Sequence, residues 1–125
     1  MVRSIEADIK RSIKNDPTFA PAYVILGRFY REIALANPFL KAIARLFFGG
    51  VPEGTLHDSE QILQKALALS PGNLYAHMEL ARTEVAMHNR KEAIGLLVAM
   101  QELPSAWHLD NRLKRMGRAL QAQLR

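Results

Sequence analysis

The side chains that could do chemistry here are four histidines, a few serines, one glycine-rich stretch and a pair of arginines at matching positions. His57, His77, His88 and His108 never fall three or four residues apart, so no helix face offers two imidazoles to a metal ion. Cysteine is absent, which removes disulfides, thiolate metal sites and cysteine nucleophiles together. Ser59, Ser70 and Ser105 lack the flanking glycines of a strained nucleophile elbow. The stretch Gly49-Gly50-Val51-Pro52-Glu53-Gly54 has neither a following lysine nor a preceding strand, so it reads as a turn and not as a phosphate cradle. Glu6 and Lys10 sit four apart, the spacing of a surface ion pair on a helix. No metal, no cofactor and no catalytic activity are expected.

The arginines are more informative. Ala22-Tyr23-Val24-Ile25-Leu26-Gly27-Arg28 lies over Ala76-His77-Met78-Glu79-Leu80-Ala81-Arg82 at an offset of 54, and the same offset carries Pro17 onto Pro71. If Leu26 and Leu80 point inward, Arg28 and Arg82 project from equivalent places on two parallel elements. Val24 and Met78 lie about one turn before them, and Tyr75 adds an aromatic surface. Two aligned guanidinium groups suit a carboxylate or an acidic peptide. The candidate partner-binding set is therefore Val24, Arg28, Tyr75, Met78 and Arg82. The alternative is that both arginines simply solvate a surface.

Helices must position these residues. Ile5, Ile9 and Ile13 repeat every four residues, and Asn15-Asp16-Pro17 ends that helix. Thr18 is placed to cap the next helix, with Pro21 in its first turn and Tyr23, Leu26, Gly27, Tyr30, Ile33 and Ala34 inward. Asn37-Pro38 opens another, with Phe39, Leu40, Ile43, Leu46 and Phe47 on a wide apolar face. Thr55 and Asp58 form a capping box before Ile62, Leu63, Ala66, Leu67 and Leu69. After Ser70-Pro71-Gly72-Asn73, a helix from Leu74 carries His77, Leu80, Ala81 and Val85 inward. Asn89 and Glu92 look like a further capping pair before Ala93, Leu96, Leu97 and Met100. The last helix starts near Ser105 or Asp110 and turns Leu113, Met116, Leu120 and Leu124 inward. No segment alternates like a strand.

Small residues after a leucine in both copies (Gly27, Ala81) let helix backbones approach closely. The pattern resembles the tetratricopeptide repeat, whose period is about 34 residues. The excess, roughly 20 residues over that period, falls at 37–54. The order Leu26-Gly27-Arg28, apolar helix, Phe48-Gly49-Gly50-Val51-Pro52, then Thr55 and a repeat helix resembles the regulator of microtubule dynamics family, which also has many bacterial members. The likeness covers roughly Ile5 to Leu124. Family members are typically longer, with more helix pairs upstream, so this chain compares with a bacterial-type member or a C-terminal fragment. Microtubule association belongs to some eukaryotic members. The resemblance implies an all-α, short right-handed solenoid of about six or seven helices. It would form a single domain over 1–125, with an inserted helix and loop at 37–54. It also implies an interaction scaffold whose concave groove takes a peptide or helix of a partner protein.

Composition sets the remaining bounds. Apolar residues are 49% and charged residues 23% of the chain, enough for a core and unlike a disordered segment. The net charge is +5, of which Arg112, Lys114, Arg115, Arg118 and Arg125 against Asp110 give +4 in the last helix. That helix at 110–125 is the alternative site, for nucleic acid or an acidic surface. No aromatics are interleaved with its arginines, and cations near a helix C-terminus offset its dipole, so capping the stack is the preferred reading. The inserted helix has two readings, a membrane-surface or partner-binding face, and core closing one end of the stack. The second is preferred because a large exposed apolar patch is a liability. No apolar run is long enough to span a bilayer, and the charged start Met1-Val2-Arg3-Ser4-Ile5-Glu6 is unlike a signal peptide. A cytoplasmic location is favoured unless a targeting segment has been removed. The Ile5, Ile9, Ile13 edge could be covered by a second copy.

Overall fold

The computed structural model describes residues 2–36, 38, 39, 42, 46, 55–105 and 108–125. Among these it forms six long helices and no strand: α1 (Val2–Asn15), α2 (Ala20–Ala34), α3 (Leu56–Leu69), α4 (Leu74–Ala86), α5 (Arg90–Gln101) and α6 (His108–Leu124). Each helix packs on its neighbour in sequence. In addition α2 touches α4 and α4 touches α6, whereas among the described residues α3 touches neither α1 nor α5. The helices therefore fall into two rows. Successive members of the α2–α4–α6 row touch one another, and this is called the inner row.

Local chemistry explains most of the boundaries. Thr55 Oγ1 accepts from the Asp58 N–H at 3.0 Å while Asp58 Oδ2 accepts from the Thr55 N–H at 3.1 Å, the expected capping box of α3. Asn73 caps α4, its Oδ1 accepting from the Ala76 N–H at 3.1 Å. Two expected caps are corrected. Thr18 bonds back to Asp16 Oδ1 through both its N–H (3.1 Å) and its hydroxyl (2.8 Å), so Phe19 is the N-cap of α2 with no side-chain bond. Asn89 does not cap α5 with its side chain; its Nδ2 donates to Glu84 Oε2 at 2.7 Å instead. In both cases the side chain's donor is held by a nearby carboxylate, and its oxygen takes no helix N–H. The last helix is described over His108–Leu124, and the two residues before it lie outside the described residues.

The core has two parts. Tyr23, Val24, Ala66 and Ala76 are buried together, with Ile13, Ile62, Leu67 and Leu69 packed on them. Leu74, Met78, Ala81, Leu97, Met100 and Leu113 form the second, flanked by Leu96, Leu103, Leu120 and Leu124. A Cβ at Gly27 would lie 2.4 Å from Leu63 Cγ, which is why α2 and α3 need a hydrogen there. Beside that contact a buried chain of hydrogen bonds joins three helices. Ser59 Oγ donates to the Gly27 carbonyl at 2.7 Å, so its single proton is spent and Thr83 donates to Ser59 at 2.9 Å.

On α6 the expected inward stripe is corrected at one position. Met116 is exposed, and the inward residue is Gly117, whose Cβ would meet Met100 Sδ at 2.8 Å. Ile5 is exposed at the outer end of α1 while Ile13 packs on the core. Most of the expected insertion at 37–54 lies outside the described residues. Pro38, Phe39, Ala42 and Leu46 are helical, as expected, but Phe39 and Leu46 are 69% and 79% exposed, so those two do not serve as core. Phe47 and Phe48 lie outside the described residues.

Candidate functional site

A groove of ≈300 Å³ runs between the first halves of α2 and α4. Pro21, Val24, Ile25 and Arg28 line it from α2, and Asn73, Tyr75 and Glu79 from α4 and its cap. The spacing on α2 follows from the helix: 21, 24, 25 and 28 share one face. On α4, Leu74 turns into the core, which leaves Tyr75 facing outward and Glu79 one turn further along. Ile25 and Tyr75 are 54% and 46% exposed, so the two helices present apolar surface on facing sides of the groove.

The charges in this groove are unequal. Glu79 is buried, and its carboxylate takes Arg31 Nη2 at 2.6 Å and Arg82 Nη1 at 3.1 Å, while Arg31 Nη1 also donates to the Glu79 carbonyl at 3.0 Å. Arg31 is as buried as its partner. Arg28 is largely exposed, and its nearest carboxylate is Glu32 at 4.0 Å. Three guanidinium groups thus face two carboxylates, and the surplus positive charge sits at the exposed Arg28.

Of the five residues expected from sequence, the structure brings Val24, Arg28 and Tyr75 together. Met78 is not with them: it is 2% exposed, inside the core shared by α4, α5 and α6. Arg82 does not line the groove but braces Glu79 from the side. The expected symmetry of Arg28 and Arg82 is therefore broken. Glu79 takes Arg82, whereas the matching position in the first copy is the apolar Ile25. Arg31 and Glu79 were missed. The available signal was a lone acid in the mostly apolar stretch Leu74 to Ala81.

Two further hollows flank α4. One, of ≈320 Å³, is lined by Gly72, Asn73, Leu74, Tyr75, Pro104, Leu109 and Asp110 where α4 meets α6. The other, of ≈360 Å³, opens on a different side, with Gln64, Leu80, Glu84, Glu92, Gly95, Leu96 and Ala99. There Glu84 is 3% exposed. Burial, and then a hydrogen bond with the Glu60 carboxyl, push its pKa up to about 7, against the pull of Asn89.

His57, His77 and His88 are structural or peripheral. His77 Nδ1 lies 2.9 Å from the Asn73 carbonyl, His57 lies 3.8 Å from Glu60, and His88 holds the left-handed turn between α4 and α5. No group of three metal-holding side chains occurs among the described residues. On the basic α6, Lys114 Nζ donates to the Leu103 carbonyl, Arg118 donates to Gln101 Oε1 at 2.8 Å, and Gln101 donates to the Lys114 carbonyl at 3.0 Å. Two of its cations are thus engaged at the C-terminal end of α5. Among the described residues no helix is long and apolar enough to cross a membrane.

These features define an all-α stack of packed helix pairs with a lined groove on its inner row. The chain belongs to the family of regulator of microtubule dynamics proteins 1–3, whose model matches residues 2–125. No individual curated protein matches it significantly.

Proposed function

We propose that this chain is a non-catalytic interaction module of the tetratricopeptide type, which receives a segment of a partner protein in the groove between α2 and α4. One observation carries this reading. Ile25 and Tyr75 are exposed beside an exposed Arg28, in a groove whose other charges already satisfy one another. A surface that is apolar, concave and singly charged is made to be covered, because apolar area gains most by leaving water. Family membership is consistent with a protein-interaction role. The two-row packing, with α2, α4 and α6 inside, supports the tetratricopeptide assignment.

The test is a peptide-display selection on the full chain, counter-screened on Ile25→Glu. Ile25 is exposed, so the variant keeps its fold. Peptides that bind the parent and lose binding to the variant are the expected result. If every selected peptide bound both proteins equally, the groove would not be the interaction site.

A further inference from the structure

The hollow between α2 and α4 and the hollow between α4 and α6 are not independent. Tyr75 and Asn73 line both. The half-exposed Tyr75 side chain is therefore the wall between two adjacent depressions along the inner row. Each is at the small end of the range of about 300–1,000 Å³ for ligand sites. A partner helix is about 10–12 Å across and needs one unbroken apolar trough. A wall in the middle of the groove suits an extended strand that steps over it.

Asn73 supplies a second observation. Its Oδ1 is held by the Ala76 N–H, which fixes the orientation of the carboxamide. Its Nδ2 has no acceptor among the described residues, and the side chain borders both hollows. That N–H can donate to a peptide carbonyl lying across the Tyr75 wall. Charge adds a preference. The exposed cation Arg28 is at the α2 end.

We infer that the partner segment is an extended peptide with two aliphatic side chains two residues apart, one on each side of Tyr75, and a carboxylate next to the one that enters the α2 hollow. In an extended chain residues i and i+2 point the same way and lie about 7 Å apart, the span needed to straddle one aromatic ring. This rests on the groove being the interaction site, and it adds the chemistry of the occupant.

Labelled ten-residue peptides in a Gly/Ser background, read by fluorescence anisotropy against the full chain, test it. The cores are Asp-Leu-Thr-Leu and Leu-Thr-Leu-Asp, so that both chain directions are sampled. At least one is expected to bind about tenfold more tightly than its versions with either leucine replaced by serine, the loss for one aliphatic anchor. Replacing its Asp by Asn should cost roughly two- to fivefold, the size of an exposed ion pair, and Arg28→Gln should erase that preference. Asn73→Asp keeps an equally good helix cap but loses the donor, and should weaken even the Asn-containing peptide. Equal binding of a helical peptide with leucines at i and i+4, or an Asp preference that survives Arg28→Gln, would overturn the inference. Groove-dependent peptides from the display selection that lack the paired aliphatics would sink it while leaving the groove intact. Absence of any groove-dependent peptide would sink both.

Discussion

Helix α4 carries two buried glutamates five residues apart, Glu79 and Glu84, and they face opposite chemistry. Glu79 meets Arg31 and Arg82 on the groove side. Glu84 meets another acid, Glu60, with Glu92 also near and the Asn89 amide as a donor. The same residue type on the same helix therefore does two jobs. Glu79 ties α2 to α4 and leaves Arg28 as the exposed cation of the groove. Glu84 holds the turn into α5 and is at ease only while it carries a proton. Burial is common to both; the neighbours make the difference, Arg31 and Arg82 at Glu79 and a second carboxyl, Glu60, at Glu84.

The sharpest way to break this contrast is to remove Glu79. Glu79→Ala takes from the buried Arg31 its closest carboxylate, leaving Glu32 at 3.7 Å, and should cost about 3–5 kcal/mol in urea unfolding. A loss below about 1 kcal/mol would show that Arg31 escapes to water. Leu80→Asp, between the two glutamates and 4% exposed, should be comparably damaging, several kcal/mol by an unpaired buried charge, seen as a much lower melting temperature.

Next in size is the pH dependence that Glu84 imposes. Folded, it keeps its proton up to about pH 7; unfolded, it releases it near 4.5. Between those values the folded state binds more protons, so stability present below pH 4.5 is lost as pH rises to about 7. The loss is on the order of 3 kcal/mol. Glu84→Gln should flatten the curve and raise neutral-pH stability; an unchanged pH profile would contradict the assignment.

Smaller still is Gly27→Ala. The Leu63 clash should cost about 1–3 kcal/mol, offset in part by up to ~1 kcal/mol of helix propensity. The smallest effects separate the two repeat arginines. Arg82→Ala removes a partner of Glu79 and should cost about 0.5–1 kcal/mol, whereas Arg28→Ala should change stability by less than about 0.5 kcal/mol. Equal costs in thermal or urea melts would restore the symmetry that the repeat suggests.

Much of the architecture was legible without coordinates, because its signals are local. Pro17 and Pro71 mark helix ends, Thr55 with Asp58 forms a box within one turn, and Gly27 with Ala81 marks close crossings. Each involves residues within a turn or two, where helical geometry fixes who meets whom. The errors fell where two signals compete within a few residues. Thr18 and Asn89 look like caps, but a neighbouring carboxylate takes the side chain. Met116 looks apolar enough to bury, but α6 comes so close to Met100 that only Gly117 fits the contact.

The groove shows where sequence stops. Helical spacing found Val24 and Arg28, four apart on one face of α2, and the aromatic Tyr75 was placed with them at the start of α4. It could not tell that Met78 goes into the core, since an unbranched apolar side chain serves equally well on a groove wall or in a core. Nor could it pair Arg31 with Glu79, which are 48 residues apart and meet only once α2 and α4 are packed. The sequence by itself determined the helices, their breaks and the family. Tertiary structure alone decided that Arg31 is buried against Glu79, because the two stand on different helices and meet only when α2 and α4 pack.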